Sequence, residues 1–423
     1  MGIVSPLGDD VDTVWKNLLS GVSGIAPIQM TPTDSLPFSS GGEARGFTGD
    51  ISGYGELDKK LQRAIKKNMK VMCREIEMGV AASQKALLHC GLGAERAPER
   101  CGCLFGCDYI LTRPEEYVDG VANCTENGKY SVESWPEQGL SKVGPLWLLK
   151  YLPNMPNSHV SIYNDFRGPN NSITMREASC NLAIAEASSI IGRGAADVMI
   201  VGATGSRLHP LRMAHMSMIE KIASETDDPA TMARPYDTSA DGMVLGEGAG
   251  AFVLESWEHA EARGAKIWGE VIGSGSAMVG PRDDRDFIRM AVEASLNSAI
   301  RSAGDQLPEA WHLHAHGLSI PSFDESESLA ISSVLSQHGK SNTPVIAAKS
   351  YSGNMGAASG ALELISSIMA MENGQLFPIR NLNSPAEYAK WVPASSKSHP
   401  GSACIHSSYS QQGQASSIVI AAA

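Results

Sequence analysis

Glycine-punctuated apolar runs alternate along this chain with stretches whose apolar residues recur every three or four positions. ADVMIVGA (196–203) and MVLGEGAGAFVLES (243–256) predict buried strands, and residues 178–192 carry helical apolar spacing that ends at glycines. A second series follows. KIWGEVIGSGSA (266–277) predicts a strand, DRDFIRMAVEASLNSAIRSAG (284–304) a helix, WHLHAHG (311–317) a short strand and residues 354–374 a helix, before the chain closes on the strand-like SSIVIAAA. This alternation predicts a layered α/β fold. Two comparable series predict a pseudo-duplicated architecture, although the letters themselves show no convincing repeat.

One amphipathic stretch differs in kind. In LDKKLQRAIKKNMKVMCRE, Lys59, Arg63, Lys66, Lys70 and Arg74 recur at helical steps, with Lys60 and Lys67 beside them. Leu61, Ile65, Met69, Met72 and Ile76 form the opposing apolar face, so the pattern predicts one helix with a basic stripe. Such a stripe is either a solvated face or a docking surface for an acidic partner.

Composition narrows the setting. The chain has 423 residues, 43% of them hydrophobic, which is enough for two domains or two fused halves around a large core. A net charge of -12 gives no general attraction to nucleic acid or to anionic membranes. No apolar run is long enough for a membrane span and the N-terminus lacks a signal-peptide pattern, so we expect a cytoplasmic protein. Eight scattered cysteines suit reduced thiols better than a disulfide framework. Cys101, Cys103 and Cys107 lack the paired spacing of a zinc site.

Several ordered motifs carry a resemblance. MGIVSPLGDDVDTVWKNLLSGVSGI, GPNNSIT, GRGAADVMIVGA, ARPYDTSADGMVLGEGAGAFVLE, HAHG and AAKSYSGNMGAASGALE together resemble the β-ketoacyl-(acyl carrier protein) synthases of the FabF type, nearly end to end. The resemblance implies the thiolase-like fold: two similar α/β halves, placed here at 1–260 and 261–423, in five layers of helix and sheet, and a dimer. It also places the start of the family's first strand several residues upstream of Met1.

Condensation in that family needs a cysteine at a strand-to-helix elbow and two histidines. Counting seven residues on from Asn170 of GPN reaches Glu177, and counting back from the ADVM strand reaches Glu177 again. Cys180 lies one turn further on and reads as a small buried residue. The first histidine matches His316. Asn354 stands in the place of the second, and the lysine before it is kept as Lys349. The family's glycine-rich gate loop, which helps form the oxyanion hole, falls on residues 408–412, with Tyr409 or Ser410 near the gate.

These replacements bear on chemistry. A carboxylate that attacked a thioester would form a mixed anhydride, a higher-energy acyl donor than the thioester itself, so acyl transfer onto Glu177 runs uphill. Loss of an oxyanion donor costs about 3 to 4 kcal/mol of transition-state stabilisation besides. Three roles stay open for Glu177: a structural carboxylate at a helix N-terminus, charge-paired with His316; half of a Glu177–His316 acid/base pair oriented by Lys349 or Asn354; or a degenerate position in a chain-length-factor-like subunit. The alternation of His312, His314 and His316 is metal-compatible, but only His316 falls on a family motif, and we expect neither metal nor cofactor. Expected partners are an acyl carrier protein, docked on Lys59, Lys60, Arg63, Lys66, Lys67 and Lys70, and a second subunit, in a homodimer or a heterodimer with an active ketosynthase.

Overall fold

The computed structural model describes residues 1–93, 96–281 and 286–423. Its two large sheets share one plan. In the first, strands run in the order Gly2–Val4, Glu247–Glu255, Val198–Ser206, Cys101–Cys107 and Asn170–Thr174. The second orders Glu270–Met278, Gln414–Ala421, Ala403–Tyr409, His312–His314 and Pro344–Ile346 in the same way, then adds Val392–Pro393 at its edge. In each sheet the first three strands pair antiparallel and the next two join in parallel. The duplication absent from the letters is thus present in the topology.

Helices fill three layers around these sheets. Helices Arg74–Cys90 and Met155–Asn164 cover the outside of the first sheet, and Asp286–Ala303 and Pro321–Gln337 cover the second. Between the sheets lie helices Ser179–Gly192 and Ser359–Asn373, packed on both sheets and on each other. That central position explains their composition. Every residue from 359 to 370 is buried, so this helix is apolar all round apart from side chains with buried partners. Close approach of the two central helices depends on Gly360, where a Cβ would meet Cβ of Cys180 at 2.8 Å.

The predicted elements are present with shifted ends. The helix expected over 284–304 spans Asp286–Ala303, and positions 284 and 285 lie outside the described residues. The helix expected from 354 begins only at Ser359, because Gly356 takes a left-handed φ of 63° and a 3-10 turn intervenes. Residues 311–317 supply just three strand residues, His312–His314. The basic stretch is two helices rather than one: Lys59–Asn68 is followed by a 3-10 turn, Met69–Val71, and an extended Met72 before helix Arg74–Cys90 starts. All eight cysteines are free thiols. Among the described residues no helix is long and apolar enough to cross a membrane.

Candidate functional site

The site forms where the two central helices begin. Strand Asn170–Thr174 runs into a 3-10 turn, Arg176–Ala178, that feeds helix Ser179–Gly192. Ser179 Oγ accepts from the backbone N–H of Met175 at 2.8 Å and donates to Cys107 O at 3.1 Å. The second half repeats the device: turn Gly356–Ala358 feeds helix Ser359–Asn373, and Ser359 Oγ accepts from Met355 N–H at 2.9 Å. Each turn opens on a left-handed residue, Arg176 (φ 52°) or Gly356 (φ 63°). Glycine adopts that conformation freely, whereas arginine pays about 1–3 kcal/mol for it. Arg176 is held there by its side chain, which donates to Glu220 Oε1 at 2.8 Å and to Gln412 Oε1 at 2.6 Å.

Glu177 follows Arg176 and points into the protein, 2% exposed. Its Oε1 accepts hydrogen bonds from Arg207 Nη2 and, at 3.1 Å, from Asn354 Nδ2. Burial pushes this carboxyl up, but the Arg207 and Arg176 guanidinium groups outweigh it and hold the group down at about 2. Arg207 is fully buried and central to a wider ion cluster. Its guanidinium lies 3.8 Å from Asp108 and 3.7 Å from Glu220, and Arg212 links Asp108 to Glu75 at 3.6 Å on each side.

A second chain of polar groups crosses between the halves. Lys349 Nζ donates to Glu363 Oε1 and to His316 Nδ1, the latter at 2.9 Å. Glu363 Oε2 meets His406 Nε2 at 2.7 Å, and His406 Nδ1 meets Asn181 Oδ1 at 2.7 Å. Asn181 Nδ2 donates to Ser416 O at 3.0 Å, so its Oδ1 accepts from His406. Burial and the Lys349 ammonium drive the His316 imidazole well below its usual range, so it is neutral at pH 7. Because Lys349 donates to Nδ1, the proton sits on Nε2, which has no hydrogen-bond partner among the described residues. Ser408 Oγ joins the two chains, donating to Glu177 O at 2.9 Å and lying 3.2 Å from His316 Nδ1.

Glu177, His316, Lys349, Asn354 and Tyr409 therefore converge at the start of the central helices, and several expected relations change. The hydrogen-bonded partner of Glu177 is Arg207 rather than His316, and a neutral His316 does not make the expected charged pair. Tyr409 is fully buried with its ring 4.5 Å from that of His316, and Ser410 is buried and bonded to Gln414, so neither faces an entrance. Gln411 and Gln412 reach Glu220 and Arg176 instead and tie the 410–413 turn over Glu177. Arg74 leaves the basic stripe, folding inward to Glu247 at 2.6 Å and to the carbonyls of Phe47 and Ala44. Lys59, Lys60, Arg63, Lys66, Lys67 and Lys70 remain exposed. Cys180 is fully buried against Gly360, and burial pushes its thiol well up. The ring nitrogens of His312 and His314 meet Pro400 O at 2.8 Å and Ser367 Oγ at 2.9 Å.

Sequence reading missed Arg176, Arg207, Glu220, Glu363 and His406. The last two carried a signal, a single carboxylate in GALELISS and a single imidazole in ACIHSS, each among small and apolar residues.

Comparison with known proteins agrees with this architecture. The family profile described as Beta-ketoacyl synthase, N-terminal domain matches residues 1–260, and the Beta-ketoacyl synthase, C-terminal domain matches 269–383. The chain is 33% identical over 393 residues to the 3-oxoacyl-(acyl-carrier-protein) synthase 2 of Vibrio cholerae, covering 92% of this chain and 88% of the relative. Its fold superposes on a type II polyketide ketosynthase solved in complex with its acyl-carrier protein (TM-score 0.82, 22% identity, 100% and 98% of the two chains). It superposes equally on a structure described as the ishigamide ketosynthase/chain length factor (TM-score 0.81, 20% identity, 100% and 97%). At these identities the superpositions speak for the fold alone, while the profile matches and the Vibrio relative place the chain by descent: it belongs to the β-ketoacyl synthase family and has that family's duplicated thiolase-like fold.

Proposed function

We propose that this protein is a non-condensing β-ketoacyl-synthase-like subunit of fatty-acid or polyketide assembly, akin to a chain-length factor. One observation carries the reading: at the helix start where the family's nucleophile is expected, Glu177 is an ionised carboxylate locked onto Arg207 and Asn354. A group held at about 2 is a weak nucleophile and a weak base at neutral pH. Cys180 offers no substitute, since its thiol is buried and raised. An acyl chain needs apolar walls, yet Arg207, Asp108, Arg212 and Glu220 crowd the space around Glu177.

The partners follow from the same reading. The exposed lysines and Arg63 suit an acidic carrier protein, and one solved fold relative is a ketosynthase bound to its carrier. Strand Asn170–Thr174 lies at a sheet edge with a largely exposed face, and Ile162, at 69% exposure, adjoins it on helix Met155–Asn164. That edge suits pairing with a second synthase-type protomer, identical or catalytically active.

A second reading, an enzyme that decarboxylates or transfers carrier-bound groups, draws on two atoms that have no hydrogen-bond partner among the described residues, Glu177 Oε2, which lies 4.0 Å from Arg176 Nε, and His316 Nε2. Incubation with malonyl-loaded carrier separates the two. The subunit reading predicts no acetyl carrier above the enzyme-free rate. Acetyl carrier formed by the native protein and abolished in Glu177→Gln would replace it with the second reading.

A further inference from the structure

Glu75 is the last carboxylate in the chain of ion pairs that runs from Glu177 through Arg207, Asp108 and Arg212. It also forms part of the wall of a separate cavity of about 180 Å³. The floor of this cavity is closed: Ser206, Leu208 and Glu247 are 5%, 3% and 2% exposed. Met30 is exposed, and Ile110, Leu111 and Arg113 are half-buried, so these four residues form its mouth.

Most of the charge on the wall is answered within the protein. Arg74 pairs with Glu247, and Glu43 accepts from the backbone N–H groups of Gln29 and Met30. Three groups are left over. Glu75 Oε1 accepts from Ser206 N–H at 3.1 Å, but its buried Oε2 has no hydrogen-bond partner among the described residues. Both ring nitrogens of His209 are closed to solvent and likewise unbonded. Burial brings that imidazole down to about 4, so at neutral pH it offers one donor and one acceptor. The Arg113 guanidinium makes no hydrogen bond or ion pair among the described residues, although its charge is felt at His209 and Glu77. A buried polar group left unsatisfied costs about 1–3 kcal/mol, and here three unmatched groups share one small space, one of them a cation.

We propose that this cavity binds a small aliphatic hydroxy acid, whose carboxylate takes the Arg113 guanidinium and the His209 N–H and whose hydroxyl meets Glu75 Oε2. A hydroxyl suits Glu75 in either state, because it donates to the ionised carboxylate and accepts from the acid. Burial raises this carboxyl to about 7, so both states are present at neutral pH. Ile110, Leu111 and Leu208 supply the contact for a short apolar body. Since a cavity of about 150 Å³ holds benzene, one of about 180 Å³ limits the ligand to roughly six to nine non-hydrogen atoms, far short of a fatty acyl chain. The site uses neither Glu177 nor His316, so it stands or falls apart from the question of condensation.

Ligand-observed NMR on the whole chain tests this with lactate and 3-hydroxybutyrate as probes. Saturation transfer to at least one of them is expected to be saturable, with affinity at least about tenfold lower in Arg113→Gln and partly restored in Arg113→Lys. Propane-1,2-diol and butane-1,3-diol, which lack the carboxylate, should show no saturable transfer at the same concentrations. The Arg113 side chain gives up no hydrogen bond among the described residues, so both variants should melt with the parent, which separates lost binding from lost structure. Saturable binding of neither acid, affinity unchanged in Arg113→Gln, or equal binding of the diols would overturn the proposal.

Discussion

Arg207 and Glu177 meet as a hydrogen-bonded ion pair that solvent does not reach, at the turn where the first central helix begins. Removing one partner strands the other charge in the interior, which typically costs about 3–5 kcal/mol. We therefore expect Glu177→Gln and Arg207→Met each to lower unfolding free energy by that order. The double variant should lose clearly less than the sum of the two. Denaturant titration of the three variants checks this, and strict additivity would mean that the pair is not coupled.

The same pair sets an acid limb. Glu177 titrates near 2 in the folded protein against an ordinary value of 4.5, so its stabilisation is complete above about 4.5 and is lost as pH falls toward 2. The native protein should lose stability through that window more steeply than Glu177→Gln. Unfolding free energies at pH 5, 4 and 3 make the comparison; parallel slopes would place Glu177 at an ordinary value.

Arg176 and Gly356 hold the same left-handed position in the two halves, but only Arg176 has ion pairs to keep it there. Arg176→Gly removes the ion pairs and the backbone strain together. Arg176→Ala removes only the ion pairs, so it should be about 1 kcal/mol less stable than the glycine variant. An alanine variant at least as stable as the glycine one would contradict the left-handed assignment.

Thiol chemistry should bypass the site. Iodoacetamide on the native protein is expected to reach the partly exposed Cys90 first, to react slowly with Cys73, whose thiol burial pushes up to about 12, and to spare the fully buried Cys180. Peptide mapping after brief labelling reads this directly. Rapid modification of Cys180 would restore it as a candidate nucleophile.

Docking on the basic face is electrostatic and so depends on salt. Reversing Lys59, Arg63 and Lys66 to glutamate should weaken carrier binding at least tenfold at low ionic strength without shifting the melting temperature, and the gap should narrow as salt is added. Unchanged affinity would reduce the stripe to a solvated face.

The fold was largely legible because burial leaves a periodic trace: the glycine-punctuated strands and both central helices stand near their expected places. Motif spacing likewise brought Glu177, His316, Lys349 and Asn354 together. What spacing does not encode is direction. Arg207 follows a strand and reads as a surface residue until the fold turns it beneath the helix start, and of the two residues expected on a gate loop Tyr409 ends strand Ala403–Tyr409 while Ser410 opens the turn after it, both facing the interior. The repeat was hidden for a related reason. Met175, Ala178 and Ser179 recur as Met355, Ala358 and Ser359, too few letters to stand out until the two turns are compared in space.

The most direct test of a locked, non-nucleophilic Glu177 is intact mass spectrometry of the protein after incubation with acyl-loaded carrier protein, with and without malonyl carrier. The account predicts an unchanged protein mass and no longer carrier-bound chain. An acyl adduct on the protein, or a β-ketoacyl carrier two carbons longer, would show a working condensing site and contradict it.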